Sequence, residues 1–282
     1  MKFTAVTLFR KLTWLAIVGV CAIGVGAGCR RDEAPARAGA EQATSPNPGS
    51  SPDNRVLRLD GTTAYMRVPD SPSLHSLTNG MTLEVCFKAG SFYKQNGAVN
   101  SLLRKNVEAG GENFFLRFRI RMGKPMLEMS ASGQVIQAPH NFEPGSWYHL
   151  AGSYDGRVMT LFVNGVAIGS RRFASQIDID DSDLMIGKGD PDYSSGEFFN
   201  GDIDDIRIWN VVRSADQIQA SMNTRLTGKE PGLVACWTFD DGTARDSSTN
   251  GNNAFLDGNT RIVTVGTAGA TLPGSSQTDP AR

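Results

Sequence analysis

The sequence is poor in what most catalytic machinery is built from. Its 282 residues include three histidines, His75, His140 and His149, and no G-x-S-x-G elbow accompanies them, which argues against a serine triad. His149, between Tyr148 and Leu150 in a strand-like run, reads as a packing or sheet-face residue. An H-E-x-x-H pair, a Walker loop and a dinucleotide fingerprint are all missing. Basic residues do not cluster: Arg30-Arg31 and Arg171-Arg172 are isolated pairs, so nothing recommends a nucleic-acid partner. Strands and helices do not alternate, and this excludes a parallel α/β sheet. Cysteine is scarce, at four residues, and no apolar run reaches the roughly 20 residues of a membrane span.

What is present begins with a targeting segment. Lys2, Arg10 and Lys11 precede an apolar run from Leu12 to Val25, and small residues follow before Cys29. Residues 1–28 read as a signal peptide of the bacterial lipoprotein type, with Cys29 as the lipidated first residue; ordinary secretion is the alternative. Either way the chain is expected to be exported, to the cell envelope if anchored and to the periplasm or medium if not. Its only membrane contact would be the lipid. Removing residues 1–28 leaves 25 Lys and Arg against 29 Asp and Glu, a net charge of −4. Residues 29–54 and 266–282 are rich in Ala, Pro, Ser, Gly and Thr and too poor in large apolar groups to offset ordering entropy, so they read as a disordered linker and tail. Residues 55–265 then suit one all-β domain.

Within that domain the runs are short and turn-bounded. Val56 to Asp60 and Ala64 to Val68 flank Gly61-Thr62-Thr63 and read as a strand pair. Met81 to Lys88 alternates, with Leu83, Val85 and Phe87 on one face and Glu84, Cys86 and Lys88 on the other. Asp155-Gly156 and Asn164-Gly165 punctuate a three-strand meander that begins at Trp147. Asn200 to Trp209 is a further strand, in which Asp204 shares the parity of Ile206 and Ile208 and should face an apolar layer. Ser214 with Gln217 forms a capping box that opens a short helix reaching about Leu226. Leu233 to Phe239 puts Leu233, Ala235, Trp237 and Phe239 inward and Cys236 outward. Once Cys21 leaves with the signal and Cys29 with the anchor, Cys86 and Cys236 share outward parity and are expected to form a disulfide if their strands are antiparallel neighbours. A dozen such strands and one short helix predict a two-sheet antiparallel jelly-roll sandwich.

The succession LRLDG, TLEVCFKA, WYHLAGSYDG, LFVNGVAIG, FNGDIDDIRIWN and LVACWTFDDGTARDSSTNGNNA resembles the LamG-like jelly-roll domains of the concanavalin A-like lectin and glucanase superfamily, to which pentraxins belong. The resemblance spans about Val56 to Val265. Pentraxins pair the cysteine matching Cys86 with one at the position of Ala151, so that bridge cannot form here, and Cys236 becomes the replacement. The resemblance also implies calcium, held by Glu112 and Asn113 together with a loop carrying Asp190, Asp192 and Glu197. A second arrangement would share a structural calcium between Asp60 and Asp204; the plainer reading gives Asp204 backbone N–H groups to accept. Asp246 in DSSTNGNN is expected to order its loop through Asx-type bonds. Superfamily glycosidases carry E-x-D-x-E on one strand. The acidic runs here, Asp178 to Asp181 and Asp202 to Asp205, contain no Glu. The resemblance therefore implies a non-catalytic binding or adhesion module for a glycan, or for a cell-surface protein, with Trp147 and Trp209 as ring-stacking candidates; a divergent glycoside hydrolase or polysaccharide lyase is the remaining alternative. The loop from Lys188 to Phe198, polar and rich in Gly, Pro and acids, is the expected functional segment.

Overall fold

The computed structural model describes residues 54–93, 95–106, 112–173, 176–189 and 197–265; Cys29, Asp190, Asp192 and the side chain of Glu112 lie outside them. In chain order the strands are β1 (Arg55–Asp60), β2 (Tyr65–Val68), β3 (Met81–Ser91), β4 (Val99–Asn106), β5 (Glu112–Arg121), β6 (Lys124–Ala131), β7 (Gln134–Pro139), β8 (Trp147–Tyr154), β9 (Val158–Val163) and β10 (Val166–Arg172). They continue with β11 (Leu184–Ile186), β12 (Asn200–Trp209), β13 (Leu233–Trp237), β14 (Phe255–Asp257) and β15 (Arg261–Thr264). Helix α1 (Ala215–Ser221) lies between β12 and β13, and its capping box of Ser214 and Gln217 is present. Among the described residues no helix is long and apolar enough to cross a membrane.

Two antiparallel sheets form the expected jelly-roll sandwich. Sheet A runs β10-β9-β8-β3-β12-β1-β15, with β13 also on β12; sheet B runs β14-β2-β11-β4-β5-β6-β7. Inward side chains follow the period of two: Leu83, Val85 and Phe87 of β3 meet Phe114, Leu116 and Phe118 of β5 in one core. Phe118 lies 5.1 Å from Phe87, 5.2 Å from Phe92 and 4.9 Å from Phe142 in tilted or edge-on geometry, which adds to the burial of each ring. The meander β8-β9-β10 forms as expected.

Four expectations need correction. β1 and β2 are not a pair: β1 joins sheet A beside β12 and β15, whereas β2 joins sheet B beside β11 and β14. The intervening turn is therefore a crossing between layers. Second, Asp204 is buried but lies on the outer face of sheet A, opposite Cys86. The register shifts by one residue between Asp204 and Arg207, where Asp205 adopts φ 44°, so Ile203 and Ile206 both point inward although three residues separate them. Third, a register shift between Ile208 and Trp209 disturbs the alternation of β13: Leu233 packs with Trp209 outside, and Val234 joins the main core. Fourth, the cysteines are free. Cys86 of β3 faces Asp204 from one side of β12, and Cys236 of β13 faces Arg207 from the other. With a whole strand between them they stand about 9.5 Å apart across the sheet, beyond the reach of a disulfide.

Strand β12 thus pairs with β3 along its length, with β1 over its first half and with β13 over its second. Over that second half α1 and the segment after it cover the outer face of sheet A: Ile218 packs on Ala151 and Phe162, and Leu226 on Trp209, Leu233 and Cys236. The cover holds charges. Glu84 accepts from Arg213 at 3.1 Å and lies 3.0 Å from His149 Nε2, while Arg207 donates to the carbonyls of Ser221 and Thr224. Around Asn200 to Asp202, at the start of β12, the same face instead opens into a cleft.

Candidate functional site

The open half of sheet A is shaped by two glycines. Asn200 pairs with Ser91 and Gly201 with Ala89, so Gly90 is the extra residue of a bulge in β3. A side chain at Gly90 would meet Asn200 Oδ1 at 2.6 Å, and one at Gly201, whose φ is 147°, would meet the Lys88 carbonyl at 2.2 Å. Only glycine permits that approach. The result is a cleft of about 480 Å³, lined by Arg58, Lys88, Gly90, Gly145, Asn200 and Asp202, together with Leu59, Ala89, Pro144 and Gly201.

Strand register brings its polar groups into one row, Arg58 on β1, Asp202 on β12, Lys88 on β3 and Trp147 on β8. Arg58 grips the Asp202 carboxylate with both arms of its guanidinium, Nε at 2.7 Å and Nη2 at 3.1 Å. Lys88 Nζ approaches the same carboxylate at 3.1 Å and stands 5.2 Å from the centre of the Trp147 ring. Asp202 is buried, whereas half of the Arg58 side chain stays exposed. The row therefore presents two cations fixed by the Asp202 carboxylate and, beside the cleft, a partly exposed indole. Such a set can stack on a pyranose ring and hydrogen-bond its hydroxyls.

The other residues singled out from the sequence are dispersed. Trp209 has the outward parity expected of it but is buried beneath Leu226, with Arg213 4.0 Å above its ring, so it stacks on protein and not on a ligand. Asp60 accepts from the N–H groups of Thr62, Thr63 and Ala64 and from Asn259. Burial opposes its ionisation, yet these donors hold its carboxyl well below the usual range. Asp204 accepts one backbone N–H, that of Asp205, in line with the plainer reading, and also the side-chain amide of Asn54. Since Asp60 faces Asn200 and Asp204 lies four residues further along β12, about 13 Å of strand separates the two, and no single calcium bridges them.

Asn113 and Glu197, the described members of the expected calcium set, each engage a protein group. Asn113 donates to Asp180 at 2.5 Å, while Glu197 lies 3.8 Å from Arg104, on the outer face of sheet B. The described ends of the Lys188 to Phe198 loop pack on that face too, with Lys188 Nζ 4.3 Å from the Tyr65 ring centre. One cluster was not flagged from sequence: Asp70, His75 and Asp181 could converge on a metal. The buried Lys105, 2.6 Å from Asp70, already supplies a positive charge there; burial raises the Asp70 carboxyl, and Lys105 and His75 more than reverse it. Asp246 performs its predicted role, accepting from the N–H groups of Cys236, Ser248 and Asn252.

Sequence reasoning missed Arg58, Lys88 and Asp202 as a unit. Each has outward parity on its own strand, but no sequence signal says that β1, β12, β3 and β8 are consecutive in the sheet.

Comparison with known proteins agrees with the fold. The Laminin_G_3 family model, described as concanavalin A-like lectin/glucanases superfamily, matches residues 60–219. Pappalysin-1 of Mus musculus is 32% identical over 96 residues, which is 32% of this chain and 6% of pappalysin-1. The chain thus spans a small fraction of that relative. A candidate carbohydrate binding protein from Bacteroides ovatus superposes with TM-score 0.61 at 20% identity, over 75% of this chain and 60% of the other. A heptameric pentraxin from Limulus polyphemus gives TM-score 0.47 at 15% identity, over 60% and 82%.

Proposed function

Because the chain belongs to the Laminin_G_3 family of concanavalin A-like lectin and glucanase domains, we propose that it is a non-catalytic carbohydrate-binding module whose binding site is the open cleft of sheet A. The observation that carries this reading is the registered row of Arg58, Asp202, Lys88 and Trp147 along a glycine-lined cleft. The candidate carbohydrate binding protein from Bacteroides ovatus lends support at the level of fold.

Catalysis is not part of the proposal. Glycoside hydrolysis takes two carboxyl groups across the scissile bond, and Asp202 is the one carboxylate among the residues lining the cleft. His75 and His149 are engaged by Asp70 and Glu84, and His140 packs 4.7 Å from the Phe142 ring. The proposed cleft draws its positive groups from Arg58 and Lys88, and calcium is not required for the reading. Display outside the cytoplasmic membrane, on a lipid at Cys29 and a linker to Asn54, belongs to the same proposal and rests on Lys2, Arg10, Lys11 and the apolar run after them.

The test is titration of oligosaccharides against the purified chain and Trp147→Ala. Loss of the indole should weaken binding at least about tenfold, and EDTA should leave binding unchanged. Equal affinity of the variant and the parent would overturn the assignment of this cleft. Binding to a cell-surface protein with no response to any glycan would replace the sugar reading with a scaffold.

A further inference from the structure

The polar row does not end at Arg58. β15 pairs with β1 so that Arg261 stands directly opposite Arg58, extending the row to Arg261, Arg58, Asp202, Lys88 and Trp147. The row thus holds three cations and one carboxylate, which pairs with Arg58 and Lys88, on a chain whose net charge is −1. Like charges directly opposed across an antiparallel pair are destabilising. Among the described residues, Arg58 is ion-paired with Asp202, and no ion pair engages the exposed Arg261. The arrangement carries an electrostatic cost that an added anion would relieve.

The geometry points to an acidic oligosaccharide, one bearing carboxylate or sulfate groups, as the ligand of this cleft; the inference rests on the carbohydrate-binding reading. Guanidinium groups present forked donors that match the paired oxygens of a carboxylate or sulfate, so the anionic group belongs between Arg58 and Arg261. Trp147, at the other end of the row, would take the face of a neighbouring sugar ring. Four strand spacings separate β15 from β8, about 19 Å, which is the reach of an oligosaccharide and exceeds a single sugar. Asp202 has two functions in this arrangement. It orients Arg58 and Lys88, and it repels an anion from the centre of the row toward the arginine end.

The experiment compares neutral oligosaccharides with oligogalacturonates and sulfated heparin oligosaccharides, titrated against the full chain, Arg261→Gln and Trp147→Ala at two salt concentrations. Arg261 is exposed, and its replacement removes a repulsion, so the variant should fold at least as stably as the parent. Acidic probes should bind more tightly than neutral ones, lose about tenfold in affinity with Arg261→Gln, and weaken as salt rises. Binding of neutral probes alone, lost in Trp147→Ala but indifferent to Arg261→Gln and salt, would overturn the acidic class while leaving the module reading intact. Absence of binding to every probe would overturn both. The carboxylated and sulfated probes separate the two sources of negative charge.

Discussion

Replacing Glu84 with alanine tests how the covered half of sheet A is held. The carboxylate is fully buried and contacts His149 at 3.0 Å and Arg213 at 3.1 Å, with Arg207 directly opposite on β12. Burial opposes its ionisation, but the bond to His149 and the charges of His149, Arg207 and Arg213 outweigh that and lower its pKa. Truncation leaves the buried Arg207 and the largely buried Arg213 short of a counter-charge, a change that costs about 3–5 kcal/mol. Asp205, 3.4 Å from Arg207, remains and draws the value toward the lower end. In a domain of this size each kcal/mol lowers Tm by about 2–4 °C, so the fall should be on the order of 10 °C. Urea unfolding at pH 7 reads the loss directly, with an unchanged m-value required for the comparison. Glu84→Gln separates charge from shape. Because the folded pKa of Glu84 is depressed, its stabilisation is fully present above the unfolded value of 4.5 and fades as pH falls through the folded value, so the gap between parent and Glu84→Gln should close in acid. A loss below about 1 kcal/mol for Glu84→Ala, or a gap indifferent to pH, would refute the buried network.

Asp204 should behave in the opposite sense. Burial first, and the neighbouring Asp205 second, push its carboxyl up, so it binds a proton more readily folded than unfolded, and stability falls as pH rises from the unfolded toward the folded pKa. Asp204→Asn should therefore be more stable than the parent at pH 7 and lose that advantage in acid, by thermal unfolding across pH. Burial raises Cys86 well above the ordinary thiol and Cys236 to about 12, so iodoacetamide at pH 8 should label neither until the chain unfolds, and reductant should not move Tm; mass analysis showing a linked pair would refute this. Phe118→Ala should cost about 3–5 kcal/mol, since the three rings packed on it, Phe87, Phe92 and Phe142, would be left facing a cavity. Gly201→Ala should destabilise the fold through contact with the Lys88 carbonyl and abolish binding at the cleft, by urea unfolding and titration.

Much of the fold was legible because its signals are local. The Asp-Gly and Asn-Gly turns set the β8-β9-β10 meander, and the Ser214 and Gln217 box opened α1 at its observed start. The helix nevertheless ends at Ser221, short of Leu226, although Met222 just beyond it is still buried. Parity along β3 was correct, whereas parity along β12 failed at Asp205, since a bulge leaves no reliable mark on the residues around it. Of the stacking candidates, Trp147 stayed half open and Trp209 was covered, though the two share outward parity. What distinguishes them is whether α1 and the segment behind it lie overhead.

Local residue patterns specify the short antiparallel strands, the apolar face of most of them, the hairpin turns and the start of the helix. Those properties are set by neighbours one to four residues apart. The folded sheet, in contrast, sets β12 between β3 and β13, which parts Cys86 from Cys236, and lays β15, β1, β12, β3 and β8 side by side, which aligns Arg261, Arg58, Asp202, Lys88 and Trp147. Strand order is a long-range choice, made by the packing of two whole sheets around one core, and residues more than 200 positions apart become neighbours through it.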